Sequence, residues 1–218
     1  MTDYSKKTIY DGDPKILSIW HKAILKLFDF KNKSVVDIGC GSGSFLLAIK
    51  NEAVKTLGID PNKINCQKAT EHNLTTINDY PENIKNHDSE FDIASSFEVI
   101  EHLYTHENII KSMEKMLKSG GLGIITTPNA FNIIRTLVFV FKQEHHDSLL
   151  DPTRSSLPEH IRLWSYNMAK RICNKESDLR VERIYGIGLI FNKLHIFKNR
   201  FMIKYFSQHL VICIRKDN

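Results

Sequence analysis

The chain has 218 residues, 42% of them hydrophobic and 25% charged, which is enough for one α/β domain with a substantial core and short for two. Its net charge of +5 is spread along the chain, so charge alone does not indicate a nucleic-acid surface. Four scattered cysteines without a C-x-x-C pair argue against a zinc knuckle or a disulfide framework, and the polar start without an apolar signal region predicts a cytoplasmic protein.

A helix is predicted near the start of the chain. Asp13 is a good N-cap residue, and the proline that follows it suits the first helical turn. Apolar residues then recur at helical spacing, namely Ile16, Leu17, Trp20, Ile24, Leu27 and Phe28. We expect this helix, within an N-terminal cover of residues 1–30, to pack on the sheet beside a ligand.

Strand and helix patterns alternate after the cover. Short apolar, β-branched runs at 34–38, 55–59 and 74–78 predict buried strands. Helical patterns at 44–51 and 61–72 separate them. This alternation predicts a doubly wound parallel sheet.

Three glycines stand between the first strand and its helix, in the stretch VVDIGCGSGSF at 35–45. Gly39, Gly41 and Gly43 allow a positive φ and close approach of a ligand to the backbone, and the helix behind them offers unpaired N–H groups. Asp60 ends the next apolar run, where a carboxylate can accept hydrogen bonds from two ribose hydroxyls. A nucleotide-like ligand is expected; the alternative is that the glycines only make a tight turn.

The spacing D-x-G-x-G-x-G differs from the dinucleotide fingerprint. This stretch closely resembles the first motif of class I S-adenosylmethionine-dependent methyltransferases, and LGIDPN resembles their second motif. FDIASSFEVIEHL and LKSGGLGIITTPN resemble later motifs, so the likeness reaches residue 129. The resemblance implies S-adenosylmethionine as cofactor. The predicted cofactor-binding residues are Asp37, Gly39, Cys40, Gly41, Gly43, Asp60, Pro61, Asp79, Phe97 and Glu98.

The elements that follow complete the predicted domain. A fourth strand at 91–95 leads to a helix that ends near Lys118, with Gly120 and Gly121 as its C-cap, before a fifth strand at 123–127. Ser165 is expected to cap a short helix. Strands at 180–185 and 210–215 would complete the class I pattern, a seven-stranded Rossmann-like α/β sheet whose last strand is antiparallel.

The whole chain is predicted to form one methyltransferase domain. Residues 31–129 form its cofactor-binding core, and 130–218 carry the substrate loop and the closing strands. The apolar run 131–141 is too short to span a bilayer, which favours a core helix or a lip over the site and allows at most peripheral membrane contact. The polar segment 142–158 is expected to be an active-site loop, and the cluster at 145–147 a solvated part of it.

Acidic and imidazole groups are candidates for the chemistry. Glu98, Glu101 and His102 are three and four positions apart, so they share one face if a helix begins at Glu98. His160 would come from the later loop. E-x-x-E-H with a later histidine resembles metal-dependent small-RNA 3′-terminal 2′-O-methyltransferases and ubiquinone-pathway O-methyltransferases.

Two roles remain open for these four residues. The resemblance implies that they hold a divalent metal such as Mg²⁺. Alternatively, no metal is bound, because E-H-L at this place is widespread among methyltransferases without one. Glu101, His102 and His160 then act as base and substrate-holding groups, or Glu98 lies near the cofactor, Glu101 on a solvated helix face and His102 at the border of a substrate pocket.

The expected reaction is O-methylation of a small molecule or of a glycan or lipid-linked acceptor. TPNAFN with the later H-x-x-x-W-S resembles bacterial methyltransferases found with glycan-assembly enzymes. The alternatives are a metal-dependent RNA 2′-O-methyltransferase and a non-catalytic protein that binds the cofactor and regulates another methyltransferase. Nucleic acid is not the expected partner, because the chain has no added RNA-binding module and no concentrated basic face.

Overall fold

The computed structural model describes residues 13–142, 160–173 and 177–218. The strands are β1 (Ser34–Ile38), β2 (Lys55–Ile59), β3 (Thr76–Ile77), β4 (Phe91–Phe97), β5 (Leu117–Pro128), β6 (Leu179–Ile190), β7 (Lys193–Phe197) and β8 (His209–Lys216). The helices in these ranges are α1 (Ile19–Leu27), α2 (Ser44–Ile49), α3 (Lys63–Glu71), α4 (Glu107–Met116), α5 (Ile133–Lys142), α6 (Tyr166–Ala169) and α7 (Arg200–Phe206).

The strands form one eight-stranded sheet in the order β3-β2-β1-β4-β5-β8-β6-β7. The first five strands are parallel to one another. The last strand, β8, is antiparallel to its neighbours β5 and β6, and β7 is antiparallel to β6. The predicted doubly wound sheet with an antiparallel last strand is therefore confirmed, but the described residues contribute eight strands to it instead of the predicted seven.

Both faces of the sheet are covered. Within β1, Val36 and Ile38 belong to one buried apolar cluster and Val35 to the other, because successive strand residues point to opposite faces. Helix α4 covers the first face with Ile110 and Met113, and helix α2 covers the second with residues such as Phe45. The carboxyl ends of β1, β2, β4 and β5 therefore open onto one edge between two packed layers.

The N-terminal helix begins later than predicted. It starts at Ile19, and the Ser18 side chain caps it by accepting a hydrogen bond from His21 N at 3.3 Å. Asp13 instead accepts from Lys15 N at 2.9 Å, a local turn that competes with helix formation. Ile16 is consequently exposed and lies outside the helical stripe. Residues 1–12 of the expected cover lie outside the described residues.

The glycine pair after α4 does not cap that helix. Helix α4 ends at Met116 and β5 begins at once with Leu117, so Gly120 and Gly121 lie within the strand. Between the pairs Phe91–Leu117 and Ile93–Leu122 the register shifts, and the extra β5 residues form an irregularity. Gly120 has a φ of 69° there, a conformation that favours glycine.

The apolar run after β5 forms helix α5, none of whose residues is buried. This excludes the core-packed alternative. No helix in the described ranges is long and apolar enough to cross a membrane. Most of the predicted active-site loop, including the cluster at 145–147, lies outside the described residues.

Candidate active site

The three glycines after β1 all have positive φ, but the space around Gly41 differs from that around the other two. A Cβ on Gly39 would lie 2.5 Å from a methyl of Val99, and one on Gly43 would lie 2.5 Å from a methyl of Leu74. A Cβ on Gly41 would meet nothing within 4 Å. Gly39 and Gly43 are therefore packing positions, and Gly41 faces open space where a ligand can approach the backbone.

Asp60 lies directly beside Gly41. One carboxylate oxygen accepts from Gly41 N at 2.9 Å, and the other accepts from Asn62 N at 2.9 Å and from Asn65 Nδ2 at 3.3 Å. Burial raises the pKa of Asp60, and these hydrogen bonds oppose the rise. The predicted ribose-binding acid and the open glycine are thus adjacent, with the half-buried Pro61 next in the chain.

Asp37 lies in β1 just before the glycine loop, and Cys40 lies within that loop. The Asp37 carboxylate accepts from Ser95 Oγ at 2.7 Å, and burial raises its pKa to about 7, opposed by that hydrogen bond and reinforced by the charge of Asp60. A Cβ on Gly58 would lie 2.6 Å from Cys40 Sγ. The Cys40 side chain is therefore packed against β2, where burial raises the pKa of its thiol well above the usual range.

Asp79 organises the turn after β3. Its carboxylate accepts from Tyr80 N and Asn83 Nδ2, both at 2.7 Å. The neighbouring Asn78 donates to the Asp60 carbonyl at 3.0 Å, which joins the ends of β2 and β3. Asp79 thus lies at the predicted cofactor edge, and its contact with an adenine stays a prediction.

Phe97 and Glu98 end β4. The Phe97 ring packs 4.8 Å from Phe45 and 5.4 Å from His21, measured between ring centroids. Glu98 has a φ of 56°, which is uncommon for a residue other than glycine. No helix begins at Glu98, so the condition for placing Glu98, Glu101 and His102 on one helix face is not met. The strand ends there and a single 3₁₀ turn over Ile100–His102 follows.

Glu98 is paired with a residue that the sequence analysis missed. The Glu98 carboxylate lies 3.0 Å from His209 Nδ1, and the His209 ring contacts Trp20 of α1 at 5.2 Å. The position of His209 could have been inferred from the predicted strand direction. Because the last strand is antiparallel to β5, its first residue lies opposite Pro128 at the carboxyl end of β5.

The structure brings Glu101, His102 and His160 together. One possible ligand atom from each lies within 4.8 Å of the others, and the two imidazole centroids are 4.8 Å apart. Glu101 and His102 are buried and His160 is half-buried. Glu98, the fourth residue of the predicted set, is not part of this group.

Backbone hydrogen bonds hold His160 at this position. The Glu101 carbonyl accepts from Ile161 N at 2.9 Å and from Arg162 N at 3.0 Å. The Arg162 guanidinium donates to the carbonyls of Leu103, at 2.9 Å, and Tyr104. The segment that carries His160 is thus fixed against the 3₁₀ turn that carries His102.

Val99 connects this cluster to the glycine loop. Its side chain fills the space that a Cβ on Gly39 would need, and its carbonyl accepts from His102 N at 3.0 Å. On the other side, Thr127 Oγ1 at the end of β5 donates to the Glu101 carboxylate at 3.1 Å. The acid and imidazole groups therefore lie next to the predicted cofactor loop.

The strand order, the glycine loop and the acid at the end of β2 define an α/β protein with the class I S-adenosylmethionine-dependent methyltransferase fold. Residues 15–183 match the family described as "Methyltransferase domain", and the chain belongs to that family.

Solved structures support the fold assignment. An S-adenosylmethionine-dependent methyltransferase from Thermotoga maritima has a TM-score of 0.69 at 16% identity, covering 90% of this chain and 87% of that chain. One from Archaeoglobus fulgidus has a TM-score of 0.64 at 18% identity, covering 94% and 95%. At these identities the likeness concerns the fold.

Curated relatives carry the name ubiquinone biosynthesis O-methyltransferase. The protein from Bartonella tribocorum is 31% identical over 123 residues, 53% of this chain and 49% of that protein. The one from Rickettsia typhi is 28% identical over 204 residues, 83% of this chain and 82% of that protein. The chain thus spans about half the length of the first of these relatives.

Proposed function

We propose that the chain transfers the methyl group of S-adenosylmethionine to an oxygen atom of a small-molecule, glycan or lipid-linked acceptor. The observation that carries this proposal is the convergence of Glu101, His102 and His160 beside the glycine loop. A hydroxyl acceptor must lose a proton to become a good nucleophile, and these groups can take it. The relatives named as O-methyltransferases support oxygen as the acceptor atom.

The proposed reaction needs little covalent help from the protein. The acceptor oxygen forms a bond to the methyl carbon as the bond from that carbon to sulfur breaks, and the sulfonium becomes a neutral thioether. The hydroxyl proton goes to an imidazole of the cluster. The protein's main task is to hold the two reactants in line.

As an alternative role of the same cluster, we propose that Glu101, His102 and His160 hold a divalent ion. One carboxylate and two imidazoles suit several such ions. Their ligand atoms lie within 4.8 Å of one another and must move closer together to share one ion at about 2.0–2.3 Å. When bound, such an ion lowers the pKa of an acceptor hydroxyl. This set is narrower than the sequence prediction, because the group of clustered ligand atoms among the described residues does not include Glu98.

Transfer of a labelled methyl group tests the reaction. The acceptor panel contains quinone-precursor phenols, nucleotide sugars, lipid-linked glycans and small RNA. We expect turnover on a non-nucleic acceptor and a rate loss of about 10²–10⁴ in His102→Ala. His195→Ala, an exposed histidine on β7, is the matched control and should retain the rate. Methylation of RNA alone contradicts the proposal, and cofactor binding without turnover on any acceptor favours the non-catalytic alternative.

Chelation distinguishes the two roles of the cluster. If an ion assists the reaction, a chelator should abolish turnover and added Mg²⁺ or Mn²⁺ should restore it, with cofactor affinity unchanged. Turnover that persists in chelator but is lost in His102→Ala identifies a metal-independent base.

Cofactor binding is tested separately by calorimetry with S-adenosylhomocysteine. Asp60→Ala should weaken binding by roughly 1–3 kcal/mol, because a charged hydrogen-bond acceptor is lost. Asp29→Ala, an exposed acid in a loop, should bind as the wild type does. Equal affinity in both variants contradicts the assignment of Asp60.

A further inference from the structure

Helix α5 exposes an unusual amount of apolar surface. Ile134, Val140 and Phe141 are 62%, 61% and 80% exposed, and no residue of the helix is buried. A surface helix of a globular protein normally buries its apolar stripe against the core. Large exposed apolar patches mark sites of interaction with proteins, membranes or ligands.

A second exposed apolar group lies at the tip of the hairpin between β6 and β7. Phe191 is 95% exposed. It forms a two-residue turn with Asn192, and their φ angles are 47° and 59°. Such a turn favours Asn-Gly, and a bulky residue in this conformation is strained. An exposed, strained phenylalanine at a hairpin tip indicates a role outside folding.

Helix α7 joins these two groups into one surface. It packs on β6 and β7 and also contacts α5. Just before α5, the Asn129 side chain donates to the carbonyls of Ile203, Lys204 and Ser207, at 3.2–3.3 Å. We define the cationic apolar face as α5, α7 and the hairpin tip 189–191.

The elements that form this face carry charges of one sign. Residues 129–142 and 183–216 contain no aspartate or glutamate, and the first acid that follows α5 in the sequence is Glu144. The basic residues of the elements that form the face, and of their immediate flanks, are Arg135, Lys142, Lys193, Lys198, Arg200 and Lys204. Exposed apolar side chains among cations, without anions, are typical of segments that bind anionic lipid surfaces.

We propose that the cationic apolar face docks on a lipid surface with anionic headgroups. Docking of a second copy face to face would bring like charges together, which disfavours it. Helix α5 follows β5, whose Thr127 contacts Glu101, so the docked side adjoins the candidate site. The proposal does not rest on the proposed acceptor, because lipid binding is measured without turnover.

Sedimentation of the full chain with vesicles tests this docking. We expect binding to phosphatidylcholine vesicles that contain about one-third phosphatidylglycerol, weak binding to pure phosphatidylcholine, and weaker binding as salt rises. Phe191→Ser and Phe141→Ser should each reduce partitioning about tenfold. Val54→Ser, at a residue 73% exposed before β2, is the matched control and should bind as the wild type does.

Three results would overturn the proposal. They are the absence of binding to the anionic vesicles, equal binding of wild type, Phe141→Ser and Phe191→Ser, and a concentration-dependent dimer that these two substitutions abolish. Hydrogen exchange gives an independent measurement: amides of α5, which are already hydrogen-bonded within the helix, should exchange more slowly when vesicles are added. Exchange of α5 that vesicles leave unchanged would mean that this face does not dock on lipid. Calorimetry with S-adenosylhomocysteine on the same variants should show unchanged affinity, which separates this test from that of the cofactor site.

Discussion

The imidazole of His209 lies 3.0 Å from the Glu98 carboxylate, with only 14% and 6% of the two side chains exposed. Burial alone would raise the pKa of Glu98, but the charge and hydrogen bond of His209 lower it below the usual range. Loss of one partner leaves the other polar group buried and unpaired. We expect His209→Ala to reduce the free energy of unfolding by roughly 2–4 kcal/mol.

A double-mutant cycle measures how strongly the two residues are coupled. Urea unfolding of His209→Ala, Glu98→Gln and the double variant should give a coupling free energy of about 1–3 kcal/mol. The ion pair between Arg215 and Glu182 spans 2.9 Å with 33% and 47% exposure. As the matched surface pair, Arg215 and Glu182 should have a coupling free energy of less than about 1 kcal/mol. Similar values for both pairs would show that burial adds nothing to the Glu98–His209 interaction.

We expect one substitution in the glycine loop, Gly41→Ala, to lower cofactor affinity with only a small loss of stability. In Gly41→Ala the added methyl meets no protein atom, so we expect a stability loss of only about 1–2 kcal/mol from the positive φ. The methyl occupies the space through which a ligand reaches the backbone, and affinity for S-adenosylhomocysteine should fall at least about tenfold. Unfolding in urea and calorimetry measure the two effects.

Two further variants control for this prediction. Gly120→Ala adds a methyl at a φ of 69° near only the Asn218 side chain, so it should cost similar stability without loss of affinity. Gly43→Ala pushes against Leu74 and should destabilise the protein more than either. Equal affinity in Gly41→Ala and Gly120→Ala would mean that no ligand approaches Gly41.

The fold could be predicted largely because residues in the sequence mark where its central strands end. The bounds of β1 and β2 agree with the sequence prediction, since short β-branched runs end there at an acid or a glycine. Strand β7 was missed because the turn that precedes it, Phe191-Asn192, lacks the usual glycine.

The candidate site could be predicted only in part. Glu101 and His102 are neighbours in sequence, but their grouping with Glu98 depended on a helix that does not form. The approach of His160 depends on hydrogen bonds from Ile161 and Arg162 to the Glu101 carbonyl. Such long-range backbone contacts leave no periodic pattern in the sequence, and the same holds for the pairing of Glu98 with His209.

Asp37 should reduce the stability of the protein at neutral pH. Its pKa is raised to about 7 by burial, so between about pH 4 and pH 7 the unfolded chain loses this proton while the folded chain keeps it. Stability contributed by the protonated acid is therefore lost as pH rises. At about pH 8, Asp37→Asn should be more stable than wild type by roughly 2–4 kcal/mol.

Urea unfolding of wild type and Asp37→Asn across this pH range measures the effect. The difference between the two proteins should grow as pH rises, and affinity for S-adenosylhomocysteine should fall in the variant because the loop loses a carboxylate. Ser95 can still donate to the new amide oxygen, so the hydrogen bond is retained. A pH-independent difference would mean that Asp37 is ionised throughout.

His21 should reduce the stability of the folded protein at acidic pH. Burial lowers its pKa to about 4, opposed by the nearby charge of Glu98, and its Nδ1 is among the buried atoms of the described residues that lack a hydrogen-bond partner. As pH falls from about 6.5 to about 4, the unfolded chain gains a proton that the folded chain does not, so the folded state loses up to roughly 3 kcal/mol.

His21→Phe keeps the ring contacts with Phe45 and Phe97 and removes this titration. Relative to wild type, the variant should lose less stability on acidification, whereas His195→Phe, at an exposed position, should follow the wild-type pH dependence. Parallel urea-unfolding curves for His21→Phe and wild type from about pH 7.5 to about pH 4 would show that the buried imidazole is not held neutral.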